Sequence, residues 1–257
     1  MSSSTDTTLT RGSLMRRAGV AGAGLTLAGM FNTVTANAAG VTSGDIDILV
    51  AAEIAEALAV TTYSHIVFDA PFFRRLEQDD QGYIRAARQE EMSHYDLEKS
   101  VTGKATPFTR FFFPHHMFRH AHVTLNTLVT LEDAFIAAYL VGVRDFSNAD
   151  LRVAAARIMG IESDHRTLVR VLAPGVARRD GGPIERLTGI QGVAESVDPP
   201  NNNGYERTLG WTDINQAVDA LLPFVDKQAA AKAGFNTRRS FEFRPFTPHL
   251  PSKLGEF

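Results

Sequence analysis

Glutamates recur at fixed steps on the helix faces that this chain would turn inward. In "LVAAEIAEALAVTTY", Glu56 is followed seven residues later by Tyr63, and in "LEDAFIAAY", Glu132 is followed seven residues later by Tyr139. Between and after them come "EEMSHY" and "IESDHR", which set His94 three residues after Glu91 and His165 three residues after Glu162. Steps of three and seven return to the same side of an α-helix. The order is therefore one plan used twice: a helix with Glu and Tyr, then a helix with Glu-x-x-His. Four carboxylates on inward faces are prohibitively costly unless a positive charge meets them. Two divalent cations would supply four positive charges against four negative ones. The two histidines would complete the set as neutral ligands.

The surrounding sequence reads as all-α. A first helix starts at a cap of Ser43 or Asp45 and stops before Pro71, with apolar residues at three- and four-residue steps. A second runs from about Gln81 to about Val101, a third from about Val123 to Phe146, and a fourth from about Leu151 to Leu172, where "APGVARRDGGP" ends it. Helices of roughly 20 residues are about 30 Å long, enough for a four-helix bundle. The long "KATPFTRFFFPHHMFRHAH" makes the connection between helices 2 and 3 a crossover, with Phe108, Phe111, Phe112 and Phe113 packing it onto the bundle or onto a neighbouring subunit. No alternating strand series is visible. Beyond the bundle, "TDINQAVDALLPFVDKQAAAKA" is a fifth helix capped by Thr212 and bent near Pro223, and "SFEFRPFTPHLPSKLGEF" is an irregular aromatic tail that packs back on the bundle.

The chain has no cysteine, so disulfides, zinc–thiolate sites and iron–sulfur clusters are excluded and any metal must be held by oxygen and nitrogen. A formal net charge of −3 gives no reason to expect a nucleic-acid partner. The first 38 residues differ from the rest. Arg16 and Arg17 precede a Gly/Ala-rich apolar run from Ala18 to Phe31, then Ala36-Asn37-Ala38. This is a secretory signal with cleavage after Ala38, and the arginine pair resembles a twin-arginine signal. Met15 stands where Ser or Thr usually precedes the pair. The apolar run is shorter than the roughly 20 residues a membrane span takes, so no stable span is expected after processing. Removing residues 1–38 takes away three arginines and one aspartate, which makes the net charge two units more negative. The expected organisation is a signal at 1–38, the bundle at 39–175 and a C-terminal extension at 176–257.

Residues 44–172 resemble the ferritin-like superfamily, in the bacterioferritin and rubrerythrin pattern of Glu56, Glu91-x-x-His94, Glu132 and Glu162-x-x-His165. The export signal and the extension, including "PPNNNGYE", are similar to a ferritin-like family that includes desiccation-related proteins. The resemblance implies a bridged centre of two iron or two manganese ions that reacts with O2 or peroxide: a ferroxidase, an oxidase, or a peroxidase or catalase type. Fe(II) would itself be a substrate of the first. Tyr63 and Tyr139 would support the ligands from behind.

Several local choices remain open at this level. Glu53, one turn before Glu56, could be the ligand instead, though only Glu56 has a tyrosine at the repeating step. Glu90 adjoins Glu91 and reads as its solvent-side neighbour, since only Glu91 has a histidine at three. Asp164 orients a ligand or lies on the surface. Tyr95 has no assigned role. His115, His116, His120 and His122 form a histidine-bearing loop or a separate zinc or iron uptake site. Without cysteine the two-domain rubrerythrin plan is out. A homo-oligomer is allowed, but the signal and extension argue against a 24-subunit cage. The competing class is an exported stress- or desiccation-related structural protein whose metal only stabilises the bundle.

Overall fold

The structure is a computed structural model, which describes residues 40–179 and 209–250. The expected signal at 1–38 lies outside the described residues, as does most of the segment between the bundle and the fifth helix. Four long helices make the body: α1 (Ser43–Asp69), α2 (Gln78–Thr102), α3 (Ala121–Asp145) and α4 (Ala149–Arg179). The two short connections make α1–α2 and α3–α4 antiparallel hairpins, seen where Ser64 meets Arg88 and where Asp133 meets Arg166. Helix α1 is also antiparallel to α3, since Glu56 lies at Tyr139 and Tyr63 at Glu132. It follows that α2 and α3 run the same way. The chain between them must then travel the length of the bundle, about 37 Å for a 25-residue helix. Residues 103–120 do this, and the all-α bundle with a long crossover is the architecture observed.

Helix ends follow from local chemistry. Thr42 caps α1 through its hydroxyl, which accepts from the Asp45 amide, while the Asp45 carboxylate accepts from the Thr42 amide. Asp45 also accepts from the Ser147 amide at 2.7 Å and the Ser147 hydroxyl at 2.5 Å. One buried carboxylate thus ties the start of α1 to the α3–α4 turn. Asp45→Ala removes the carboxylate half of this capping box and leaves its donors unsatisfied, which is expected to cost about 2 kcal/mol in urea unfolding. Helix α2 stops at Gly103, whose left-handed φ of 71° is free of strain only without a side chain.

The fourth helix runs further than the sequence suggests: Pro174 and Gly175 lie within α4, which continues to Arg179. A proline removes one intrahelical bond but leaves those on either side intact, so it need not end a helix. Helix α5 (Ile214–Val225) is capped by Asp213, one residue after the expected Thr212, and contains Pro223. It breaks at Asp226, which caps α6 (Lys227–Lys232).

The chain is not wholly without strands. In the crossover, β1 (Arg110–Pro114) pairs antiparallel with β2 (Phe235–Glu242), with a shift of register between Phe111 and Phe113. The strand takes in only the first three residues of the aromatic tail, 240–242, and residues 243–250 are irregular, as expected. Phe113 sits at the centre of the contact, with the rings of Phe118, Phe224 and Phe241 at 5.1, 5.9 and 5.2 Å. Beyond β2 the tail lies along α2. Phe243 packs on Tyr95, Arg88 stacks on Phe246 at 3.7 Å, and the His249 amide donates to Gln89. The aromatic segments thus pack on the bundle as their composition predicts. Helix α3 is long and apolar enough to cross a membrane, but most of it is buried within the bundle.

Candidate metal centre

All six expected ligands face the same point. Glu56 on α1, Glu91 and His94 on α2, Glu132 on α3, and Glu162 and His165 on α4 are buried, none more than 6% exposed. Their donor atoms form two overlapping groups, each held within 4.8 Å: Glu56, Glu91, His94 and Glu162 in one, and Glu91, Glu132, Glu162 and His165 in the other. Glu91 and Glu162 belong to both. Each turns one oxygen to each histidine. His94 Nδ1 lies 3.1 Å from Glu162 Oε1 and 3.5 Å from Glu91 Oε2, and His165 Nδ1 lies 3.0 Å from Glu91 Oε1 and 3.4 Å from Glu162 Oε2.

Whether these residues fit a metal pair can be tested on their hydrogen bonding. Buried polar atoms are nearly always hydrogen-bonded. Here Glu56 Oε2, Glu132 Oε2, both oxygens of Glu91 and Glu162, and Nδ1 of both histidines are buried with no hydrogen-bond partner. The close approaches above lack hydrogen-bond geometry because the atoms converge on shared points instead of on one another. The orphaned atoms are the ones that two ions would use, and their oxygen and imidazole chemistry suits iron, manganese or zinc. The residues fit the group.

The repeat places a supporting hydrogen bond across the bundle in each half. The Tyr63 hydroxyl donates to Glu132 Oε1 at 2.6 Å, and the Tyr139 hydroxyl donates to Glu56 Oε1. Each tyrosine therefore holds the terminal glutamate of the other half and leaves its Oε2 for the centre. His165 is held from outside by Glu90, with 2.8 Å between Nε2 and Oε2, which fixes the tautomer that leaves Nδ1 facing the site. This corrects the expectation that Glu90 is only a solvent-side neighbour. Its side chain is half-buried and reaches across to α4. Partners of this kind typically contribute 10- to 100-fold in metal affinity, so Glu90→Gln is expected to weaken metal binding at the Glu132/His165 group by about that range in metal titrations.

The electrostatics reflect crowding. Burial, then the neighbouring Glu91 and Glu162, push the Glu56 carboxyl well above its ordinary value, and burial with Glu162 and Glu91 does the same to Glu132. Burial pushes the histidines down, but the glutamates around them more than offset it, and both imidazoles are held well above their usual range. Burial pushes Glu91 up as well, yet His165 outweighs this and holds it below the carboxylate range. Without a cation among them, Glu56, Glu132 and the two imidazoles are the groups that favour their protonated forms.

The two halves are not equivalent. Superposing the repeats sets Glu53, Glu90 and Glu98 against Val129, Ile161 and Val169. Glu98 belongs with the buried network, although it reads in sequence as part of a solvated face. It is 1% exposed, and its Oε1 lies 2.6 Å from the Tyr139 hydroxyl. That hydroxyl has one proton, given to Glu56, so the Glu98 carboxyl, pushed well above its ordinary value by burial, is the donor in this second contact. The seven-residue step from Glu91 to Glu98 was the signal that could have found it. Glu53 stands outside the ligand groups and accepts from Thr102 Oγ1 at 3.3 Å. Burial pushes its carboxyl up to about 7 from 4.5. A carboxyl raised by folding stabilises the fold fully below pH 4.5 and loses that contribution as pH rises through about 7. Between pH 4 and about pH 8 the wild type is therefore expected to lose about 3 kcal/mol relative to Glu53→Gln in urea unfolding. Tyr95, left without a role by the sequence, packs on Phe243, and its hydroxyl accepts from the Thr106 amide.

A groove of about 970 Å³ between α2 and α4 opens to solvent and reaches His165 on the side held by Glu90, lined by Asp79, Tyr83, Asp164 and Leu168 among others. Asp164 is thus a groove residue rather than a partner of the ligands. His115, His116, His120 and His122 lie apart from the centre at the start of α3. His116 and His120 have ring centroids 5.2 Å apart, but the four do not converge as the six ligands do.

Comparison with known proteins agrees with this geometry. A family profile described as "Ferritin-like domain" matches residues 44–174, which takes in all four bundle helices and all six ligand candidates. No curated protein matches the chain. The chain belongs to the ferritin-like domain family.

Proposed function

We propose that this chain is an exported oxidoreductase whose Glu/His centre holds two iron ions, or two manganese ions, and reacts with O2 or peroxide. The observation that carries the reading is the set of buried donor atoms in six residues that lack hydrogen-bond partners and converge in two overlapping groups. When bound, a pair of redox-active ions supplies electrons to O2 or peroxide, and an external donor must restore them. The chain's own residues have separate tasks. Glu91 and Glu162, which belong to both groups, would help to hold both ions, while Glu56 with His94 and Glu132 with His165 would complete the two ends. Tyr63 and Tyr139 lock the terminal glutamates, and Glu90 locks His165. The apolar walls of the bundle keep bulk water from the centre. The groove beside His165 gives peroxide or Fe(II) a path from solvent, and Asp79 and Asp164 favour the cation. Export by the twin-arginine route would deliver a protein already folded around its metal.

Rapid mixing of the Fe(II)-loaded protein with O2 or with peroxide tests the activity. Oxidation of two iron ions per chain, much faster than that of Fe(II) in buffer alone, supports it. Metal that stays reduced under both oxidants overturns it and favours a protein whose ions serve only the fold.

A further inference from the structure

Where α1, α2, α3 and α4 meet beyond the ligands, the bundle interior does not close. A cavity of about 30 Å³ lies there, bounded by Ala52, Leu97, Glu98, Tyr139, Ala155 and Ile158 among others. Alanines from three helices leave the space, because their side chains stop short of the helix axis they face. Apart from Glu98 and the Tyr139 hydroxyl, the wall is apolar. Tyr139 is already engaged with Glu56 and with Glu98 Oε1. Glu98 Oε2 is buried and has no hydrogen-bond partner.

The volume exceeds the roughly 10–15 Å³ that one water needs, but a buried water also needs two to four polar partners. Of the polar atoms on its two polar lining residues only Glu98 Oε2 lacks a partner, too few for a water, so the cavity suits a small apolar molecule. Hydrogen peroxide, with two O–H donors to satisfy, is poorly served here and well served by the open groove at His165. Tyr139 forms part of the cavity wall and also holds Glu56, so the cavity stands one side chain from the candidate centre. Glu98 has no carboxyl counterpart in the second half, where the repeat sets Val169 at the matching position.

We infer that this cavity is a holding site for dioxygen beside the Glu56/His94 end of the centre. The inference rests on the functional reading above and adds that O2 and peroxide reach the metals by different routes. Crystals of the full chain pressurised with krypton, together with Ala155→Val and Ala52→Val, test it. The wild type is expected to show an anomalous krypton peak between Ala155 and Glu98, and each variant to lose it while keeping its metal content. In the Fe(II)-loaded variants the O2 concentration for half-maximal oxidation should rise at least about fivefold, with a smaller change in the reaction with peroxide. An ordered water in the wild-type cavity in place of krypton overturns the inference. So does a variant that loses krypton yet keeps its O2 dependence. If one variant fails to fold, the other gives the same readout. A chain that binds no metal overturns the functional reading, and the dioxygen role with it, whatever the krypton map shows.

Discussion

The Glu162→Ala protein is expected to leave purification with neither ion bound. Glu162 is fully buried and supplies an oxygen to both ligand groups. Its loss strips a ligand from each ion position at once and leaves His94 and His165 facing an enlarged site. The single-ended ligands should behave differently. Glu56→Ala and Glu132→Ala each take a ligand from one group only, so each is expected to retain about one ion per chain, more weakly held. A fall in affinity of more than about 100-fold is expected for Glu162→Ala, beyond the effect usual for residues that only support a ligand. Metal analysis of the purified variants by plasma mass spectrometry reads the stoichiometry directly. Equal losses in all three variants would contradict the division of labour between shared and terminal glutamates.

Stripping the metal should also weaken the fold. Four glutamates meet in a space with almost no exposed surface, and burying charges without partners is costly. Ions that bind the folded chain and not the unfolded one stabilise it by about 4 kcal/mol at a free concentration a thousand times the dissociation constant. For a domain of this size that corresponds to roughly 10 °C in melting temperature. Scanning calorimetry with and without a chelator should show a drop of that order in the wild type, and little or none in Glu162→Ala. A wild-type melting temperature indifferent to chelator would show that the ions contribute nothing to the bundle.

The ligands could be read from sequence because each choice was local. Glu56 and Tyr63 share a helix face by spacing alone, as do Glu91 and His94, and the repeat then marked Glu56 over Glu53. What spacing could not show was which residues meet across the bundle. Glu90 sits about 100° around the helix from Glu91, and only the approach of α4 brings it to His165. Glu98 lay at a legible step, but its neighbours Glu90 and Lys99 made that stretch look solvated. The β1–β2 pair was invisible for a similar reason. "RFFFP" has no alternation, and its partner strand lies more than a hundred residues away. Pro174 misled because a proline costs a helix one bond, and packing decides whether the helix continues. The reciprocal bonds from Tyr63 to Glu132 and from Tyr139 to Glu56 are likewise tertiary facts, although both tyrosines were marked by the repeat.

The central claim is that six residues of this chain hold two metal ions. Its most direct test is a crystal structure of the chain expressed with ample iron and manganese, with diffraction recorded on both sides of each metal's absorption edge. Two anomalous peaks are predicted, one within coordination distance of Glu56 and His94, the other of Glu132 and His165, and both in contact with Glu91 and Glu162. Protein that binds no metal, a single peak, or metal bound only at the surface histidines from His115 to His122 would contradict it.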